Sequence, residues 1–373
     1  MDQEKTAKFL RIRTIFLMPR SAVMPVWTND RPRKIRNEGG YVLVLTIAAL
    51  AILMLAGAFI GQRVSGTLQL AIAEKDRAEE LAATQNALNQ MVFLLATTQR
   101  FALGMGAPGQ SVRFDGEWYD AGNGIAVAFV DSRAQLSVAT PSRLWLGRLL
   151  ASYGLSANDQ DALLDTLEDY SDTDSLKRLQ GAEAADYARV ALPAPRNQPL
   201  VAEEELLRIY GWRQHAALWA NDDDNLLQQL NVSSDTGVNP ATASWRVLVA
   251  AFSLDPKAAA SFVKQRNAAD DLTVQNLANS LAPPLTGDNF MSFQRGVVFP
   301  GATTLVKLAP IGKSYGWEVS FTLTPESKEG GWQLRNFRSI RLSAAIAADK
   351  LRPMPDLKPF SAELQNLTTQ MPF

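Results

Sequence analysis

An uninterrupted apolar run near the N-terminus dominates the hydrophobic pattern of the chain. Residues 39–62 contain no charged side chain, and nearly all of residues 41–60 are apolar. Twenty residues of α-helix rise about 30 Å, which matches the hydrocarbon thickness of a bilayer. The pattern therefore predicts a membrane-spanning helix over residues 41–62.

A helical pattern continues directly beyond this run. Between residues 67 and 100 there is no proline or glycine, and Leu81, Leu88, Val92 and Leu95 recur at helical spacing. This stripe predicts that residues 63–103 prolong the same helix and pack on a folded domain. The glycine- and proline-rich stretch at residues 104–109 is expected to end it.

Strand patterns frame a long helical region. Residues 117–119 and 125–130 alternate as strands around a turn at 120–124, and residues 296–308, 317–323 and 332–342 form a second group. The sequence therefore predicts two groups of strands separated by helices.

Within the helical region, one motif occurs twice. Residues 136–142 and 238–244 are similar, and each precedes a helix, a short turn and another helix. Thr140 and Thr242 are predicted to cap the first helix of each pair, because a threonine oxygen can accept free N–H groups of a first turn. The pattern predicts a helical hairpin used twice.

The composition narrows the possible chemistry. The absence of cysteine excludes disulfides, thiolate metal sites and cysteine nucleophiles. The single histidine, His215, cannot form a multi-histidine metal site, and no Gly-x-Ser-x-Gly motif accompanies it. We therefore expect a half-buried or surface histidine and no enzyme.

The charge is distributed unevenly. Residues 1–40 carry nine basic and four acidic side chains, so the remainder must be acidic to give the net charge of −1. Basic residues before the apolar run indicate a cytoplasmic N-terminus and an exported body. An acidic body argues against binding to nucleic acid.

The junction before the apolar run has its own signature. The basic leader ends in Glu38-Gly39-Gly40, and the apolar run begins at once with Tyr41. This order resembles the type III signal of type IV pilin-like proteins, in which a prepilin peptidase cuts after the glycine and methylates the new N-terminus. The resemblance implies a cleaved leader at residues 1–40 and a mature protein beginning at Tyr41.

Several features of this junction leave alternatives open. The family usually has Phe or Met where Tyr41 stands, and the leader is long, with Met18 and Met24 as other possible starts. A plain signal anchor is one alternative. A secretory signal cleaved near the small residues 56–58 is another.

The fifth residue after the expected cut is Leu45. Most pilin-like subunits have a glutamate there, which is thought to pair with the N-terminal amine of a neighbouring subunit. The K-type subunit lacks that carboxylate. The resemblance therefore implies that Leu45 suits a position at the tip of a fibre.

A longer set of motifs resembles the K-type minor pseudopilins of the type II secretion system. It lies between residues 31 and 266 and comprises Asp169-Tyr170-Ser171-Asp172-Thr173-Asp174, Arg178, Gly181-Ala182-Glu183, Tyr187, Arg196-Asn197-Gln198-Pro199, Glu204-Glu205-Leu206 and Val238-Asn239-Pro240-Ala241-Thr242-Ala243. The family usually has tryptophan in place of Tyr170.

The resemblance implies an architecture and a role. The fold is expected to be α+β: a pilin-like antiparallel sheet domain at 104–131 and 286–345, an inserted all-α domain at 132–285, and a tail at 346–373. The protein would initiate or cap a pseudopilus, as a single-pass inner-membrane protein whose partners are the I-type and J-type minor pseudopilins.

One acidic cluster is a candidate metal site. Clustered carboxylate oxygens suit calcium, which the resemblance also implies, although the spacing is not that of an EF-hand. A solvated acidic loop is the alternative, and it is the preferred interpretation for residues 222–224. The candidate ligands are Asp169, Asp172, Asp174, Glu183 and Asp186.

Two other classes of function remain. A membrane-anchored periplasmic binding protein would keep its leader and form no fibre. A DNA-binding module of the helix-hairpin-helix kind would need basic, glycine-rich turns, whereas the turns here, at 155–159 and 254–256, are acidic.

Overall fold

A computed structural model describes residues 39–220, 224–281 and 296–357. Most of the predicted leader, Asp222 and Asp223, the predicted domain boundary near residue 285 and the end of the tail lie outside these residues. The helices are α1 (Gly39–Thr97), α2 (Arg143–Ser152), α3 (Ala157–Ser171), α4 (Ala184–Arg189), α5 (Trp245–Phe252), α6 (Pro256–Ala268) and α7 (Asp271–Leu281).

Eleven strands are assigned in the described residues. They are β1 (Arg100–Phe101), β2 (Gly104–Ala107), β3 (Gln110–Arg113), β4 (Asp115–Asp120), β5 (Ile125–Asp131), β6 (Leu136–Ser137), β7 (Leu230–Asn231), β8 (Thr303–Pro310), β9 (Tyr315–Leu323), β10 (Trp332–Arg341) and β11 (Arg352–Pro353). The chain divides into two compact units, with the boundary after Ala71.

The first unit contains the N-terminal part of α1. From Tyr41 to Ala71 every side chain is exposed, although most are apolar. An 18-residue window of this helix reaches a mean hydropathy of 2.7, so it is long and apolar enough to cross a membrane. In the described part of the chain it alone meets these criteria of length and composition.

In the second unit, the remainder of α1 packs against the sheet. Leu88, Met91, Val92 and Leu95 are buried on one face, as their helical spacing requires. Leu81 was predicted to share this stripe, but the structure leaves it 57% exposed, one turn before the buried face begins.

The end of α1 differs from the prediction. The helix stops at Thr97, before the glycines that were expected to end it. Gly104 instead lies in β2, where the Val112 carbonyl of β3 approaches so closely that a Cβ could not be accommodated. The glycine-rich stretch thus forms a small three-stranded sheet rather than a loop.

The main sheet has six strands in the order β10-β9-β8-β5-β4-β11. All neighbours are antiparallel except β11 and β4. The central strand β5 is buried on both faces: Val127 and Phe129 join the core beneath α1, while Ala126 packs with Ala309 and Ile346. This double burial explains its continuous apolar sequence.

A helical region is inserted between adjacent strands of the sheet. The chain leaves β5 at Asp131 and returns in β8, and Asp131 pairs with Thr304 across the two strands. A separate hydrophobic core fills this insert, drawn from residues between Leu136 and Ala259. The predicted α+β fold, with a long apolar N-terminal helix and an antiparallel sheet, is confirmed.

The two predicted helical hairpins are present as α2–α3 and α5–α6, but their capping residues were predicted wrongly. Ser142 and Ser244 are the N-caps, and each accepts a hydrogen bond from the N–H three residues later. Thr140 precedes a proline, which disfavours helical geometry. Thr242 donates its hydroxyl proton to Asp131 instead.

Candidate functional site

The predicted acidic cluster lies at the C-terminal end of α3 and in the loop that follows. Asp169 is fully buried and accepts the backbone N–H of Arg178 at 3.3 and 3.2 Å from its two oxygens. The backbone at Gly181 lies against the same carboxylate, so closely that a Cβ there would collide with it. This contact explains why glycine occupies position 181.

Three further carboxylates interact electrostatically with Asp169 or with one another. Burial, followed by repulsion from Asp174, raises the pKa of Asp172. Burial and then the charges of Asp169 and Asp172 raise the pKa of Glu183, and burial likewise raises that of Asp169. The structure therefore brings four of the five predicted ligands into one electrostatic cluster.

One cation partly neutralises this cluster. The guanidinium of Arg178 lies 2.6 Å from Glu168, 3.8 Å from Asp169 and 3.6 Å from Asp172. Because three carboxylates share this cation, negative charge remains uncompensated around Asp169.

Asp186 belongs to a different set of contacts. Its carboxylate lies 2.9 Å from Lys177 and 2.9 Å from Arg189, and it accepts the backbone N–H of Glu183 in a capping box at the start of α4. The hydrogen bond from Lys177 holds the pKa of Asp186 below its usual value. Asp186 therefore acts here as a helix cap that is paired with two cations.

The chemistry of the donors fits a hard cation. Asp172 Oδ1, Glu183 Oε1 and Asn197 Oδ1 are buried and have no hydrogen-bond partner. Unpartnered buried oxygens of this kind are the ligands that calcium prefers. Among the described residues, however, no three His, Asp or Glu side chains already converge with the geometry of a metal site.

The predicted processing junction lies at the first turn of α1. The helix begins at Gly39, so Gly40 and Tyr41 are both within it. The side chains of Tyr41 and Leu45 are 79% and 63% exposed. No charged side chain interrupts the run from Tyr41 to Gln62, and Leu45 therefore has only uncharged neighbours along the helix.

A buried aspartate joins the sheet to the insert. Asp131, which ends β5, accepts hydrogen bonds from Gly301 N at 2.8 Å, Arg133 N at 3.0 Å, Asn239 Nδ2 at 3.0 Å and Thr242 Oγ1 at 3.1 Å. Burial raises its pKa, and these four donors oppose that effect. Thr242 lies in the second copy of the repeated motif and was predicted to be a helix cap, whereas here it is a donor to Asp131.

The remaining candidates have ordinary surroundings. His215 is half-buried and follows a short 3-10 helix. Asp224, the described residue of the second acidic run, pairs with Arg246 at 2.9 Å. These contacts are structural ones.

Comparison with known proteins finds a family match for the central part of the chain. Residues 126–218 match the family model of the type II secretion system (T2SS) protein K, in its first domain. This segment contains β5, the first helical hairpin and the acidic loop. No curated protein matches the chain significantly in sequence.

Among solved structures, the chain resembles one from the GspK–GspI–GspJ complex of the enterotoxigenic Escherichia coli type 2 secretion system. The two share 16% sequence identity with a TM-score of 0.46, and the alignment covers 74% of this chain and 98% of the other. Residues 126–218 are therefore similar to the first domain of type II secretion system protein K, and the resemblance to K-type pseudopilins predicted from the sequence is confirmed over these residues.

Proposed function

We propose that this protein is the minor pseudopilin at the tip of a type II secretion pseudopilus, where it initiates or caps fibre assembly. The observation that carries the proposal is α1. Its first part is apolar and exposed from Tyr41 onwards, whereas its last part is packed against the sheet and contributes to the core of a folded domain. A helix with these two parts can reside in a bilayer and later pack among other apolar helices.

The position at the tip follows from Leu45 and from the insert. A subunit without a carboxylate at its fifth mature residue has no charge to neutralise the N-terminal amine of a neighbour. The insert adds a second hydrophobic core, of residues 136–259, to the pilin-like sheet. A subunit of this bulk is suited to the end of a fibre rather than to its interior.

The partners and the location complete the proposal. The protein of known structure mentioned above was solved with GspI and GspJ, and we propose the corresponding I-type and J-type pseudopilins as partners here. The basic leader favours a cytoplasmic N-terminus and a periplasmic body, and we propose that the apolar first part of α1 spans the inner membrane.

Mass spectrometry of the N-terminus of the protein from its native membranes tests this proposal. We expect a methylated chain beginning at Tyr41, because the prepilin peptidase cuts after a glycine. Gly40→Ala is expected to leave the leader attached, since a side chain would obstruct the extended backbone at the cut.

Gly57→Ala is the matched control. Gly57 lies within α1 and a Cβ there meets nothing within 4 Å, so processing should be normal. A native chain that retains residues 1–40 would support a signal-anchored binding protein instead. A cut near residues 56–58 would support a secretory signal.

Calcium at the acidic loop is a second proposal. Asp169, Asp172, Asp174 and Glu183 would hold the ion together with the Asn197 side-chain oxygen, and it would neutralise the carboxylates that now repel one another. Thermal unfolding with calcium and with a chelator tests the site, and an unchanged melting temperature would remove it.

A further inference from the structure

The acidic loop displays two leucines to solvent. Leu176 is 75% exposed and Leu179 is 94% exposed, more than any other large apolar side chain of the second unit whose exposure is given. In the sequence they flank Lys177 and Arg178, and they lie within the segment matched by the protein K family model.

This exposure is imposed by hydrogen bonds of the backbone. The neighbours of Leu179 are held by buried carboxylates: Arg178 N donates to Asp169, and Gln180 N donates to Asp165 Oδ2 at 3.0 Å. A turn fixed on both sides cannot fold Leu179 back into the core.

Leu176 is fixed in the same way. Its N–H donates to Asp174 Oδ1 at 2.8 Å, and the Asp174 carbonyl accepts the Asn197 side-chain N–H at 2.6 Å. The loop thus presents both leucines on an ordered backbone, as a preformed binding surface does, since a partner need not pay to order it.

The charge around the leucines selects the kind of partner. Residues 159–186 contain nine acidic and two basic side chains, and Arg143 and Arg189 from outside this range pair with some of these carboxylates, so the surface keeps a net negative charge even with one divalent cation bound. Such a surface repels anionic lipid headgroups and attracts basic protein surfaces.

We propose that Leu176 and Leu179 form a docking surface for a second protein, which receives them in an apolar pocket bordered by lysine or arginine side chains. The surface lies in the inserted domain, and it is separate from the α1 helix through which the proposed fibre assembles. It therefore assigns a second point of attachment to a subunit at the tip.

The absence of cysteine makes this surface directly testable. Leu179→Cys introduces a single thiol, which a short maleimide–succinimide reagent joins to lysines of a neighbouring protein in membranes from cells that make the protein. We expect an adduct that decreases at least ten-fold when Leu176→Ser is added and that also decreases at high salt.

Leu272→Cys is the matched control. Leu272 is a leucine 61% exposed beside two carboxylates, Asp270 and Asp271, but on α7. An equal adduct from this variant, an adduct independent of Leu176 and of salt, or no adduct would each overturn the proposal. Leu176 and Leu179 are exposed, so unchanged thermal unfolding of the variants confirms that the fold is intact.

Further measurements distinguish two other binding partners of this surface, a lipid membrane and a second copy of this chain. A dye on the Leu179→Cys thiol whose emission shifts to the blue with phosphatidylcholine or phosphatidylglycerol vesicles would show a lipid surface. An adduct with the mass of two copies of this chain would show self-association. Either result would replace the proposal, and N-terminal mass spectrometry of the same sample reports on the proposed function independently.

Discussion

At the scale of residues, two fully buried aspartates have different environments. Asp131 is surrounded by four hydrogen-bond donors, two from the backbone and two from side chains of the second repeat. Asp169 accepts a backbone N–H of the loop and is repelled by the neighbouring charge of Asp172, which the guanidinium of Arg178 partly offsets. Asp131 therefore joins elements together, whereas Asp169 concentrates negative charge.

Gly181→Ala should destabilise the protein by about 1–3 kcal/mol, because the new Cβ displaces the Asp169 carboxylate from its donors. The collision disappears when Asp169 is alanine. Gly181→Ala should therefore cost much less in an Asp169→Ala background, and urea unfolding of the four proteins measures this difference. Equal costs in both backgrounds would show that Gly181 is required for another reason.

Stabilisation by calcium should depend on pH. The carboxylates Asp169, Asp172 and Glu183 have raised pKa values in the folded state. Without a cation, each favours folding below its unfolded pKa, near 4, and this contribution is lost as pH rises through its folded pKa. Calcium offsets that loss, so the rise in melting temperature should be largest near neutral pH and vanish as pH falls to about 4.

Magnesium at equal concentration is the control for this measurement, since it requires a tighter octahedral site and keeps its waters. An increase in melting temperature that grows on acidification would contradict the proposed site.

At this scale, the sequence predicts which side chains form a charged cluster better than it predicts the partners of each side chain. It found the acidic cluster because carboxylates close in sequence also lie close in space at a helix end. It could not anticipate that Asp186 turns to Lys177, because that choice depends on the path of the loop. It also could not place Thr242 on Asp131, since 111 residues separate them.

At the scale of elements, a cluster of charges connects the sheet with the insert. Arg338 of β10 contacts Glu318 of β9 at 2.6 Å and pairs with Glu204 of the insert. Lys307 of β8 lies 3.6 Å from Glu318. Burial raises the pKa of Glu318 and lowers that of Arg338, while Lys307 favours the charged form of Glu318 and Glu203 favours that of Arg338.

Arg338→Ala should therefore destabilise the protein by about 3–5 kcal/mol, because it leaves Glu318 buried with Lys307 as its remaining cation. Arg335→Ala is the matched control on the same strand. Its guanidinium bonds to Gln333 at an exposed site, so a change within about 0.5 kcal/mol is expected. Denaturant unfolding distinguishes the two, and equal effects would show that the buried pair is unimportant.

The long elements could be predicted and the short ones could not. The strands β4, β5, β9 and β10 lie within one or two residues of their predicted positions, because alternation or a continuous apolar run marks them. The strand predicted at 296–308 begins only at Thr303. The 3-10 helices between Glu203 and Gln229 have no periodic pattern that could have revealed them.

At the scale of the whole molecule, the sheet and the insert have separate cores. The members of the core beneath α1 come from the segments 87–129 and 306–321 and from Leu357, and none comes from the insert. The core of the insert in turn contains no residue of the main sheet. Two main cores of this kind are typical of domains that can fold alone, although a small third cluster of Leu103, Ala241, Val274 and Ala278 links the small sheet to the insert.

Deleting the insert should consequently leave a folded pilin-like domain. Asp131 and Thr304 are paired on adjacent antiparallel strands, so a two-residue Asn-Gly linker can close them as a hairpin. We expect cooperative thermal unfolding and a retained near-ultraviolet circular dichroism signal from the remaining aromatic core. A molten or insoluble product would show that the sheet depends on the insert.

The way α1 lies against the sheet has a mechanical consequence. Its buried residues, from Ala87 to Leu95, contact the sheet along more than two turns of helix. A pull on the helix along its own axis loads all these contacts at once in shear, whereas a pull at right angles would open them one after another. The contacts between α1 and the sheet therefore resist tension along the helix axis better than tension across it, and in the filament proposed above a pull on this subunit would act along that axis.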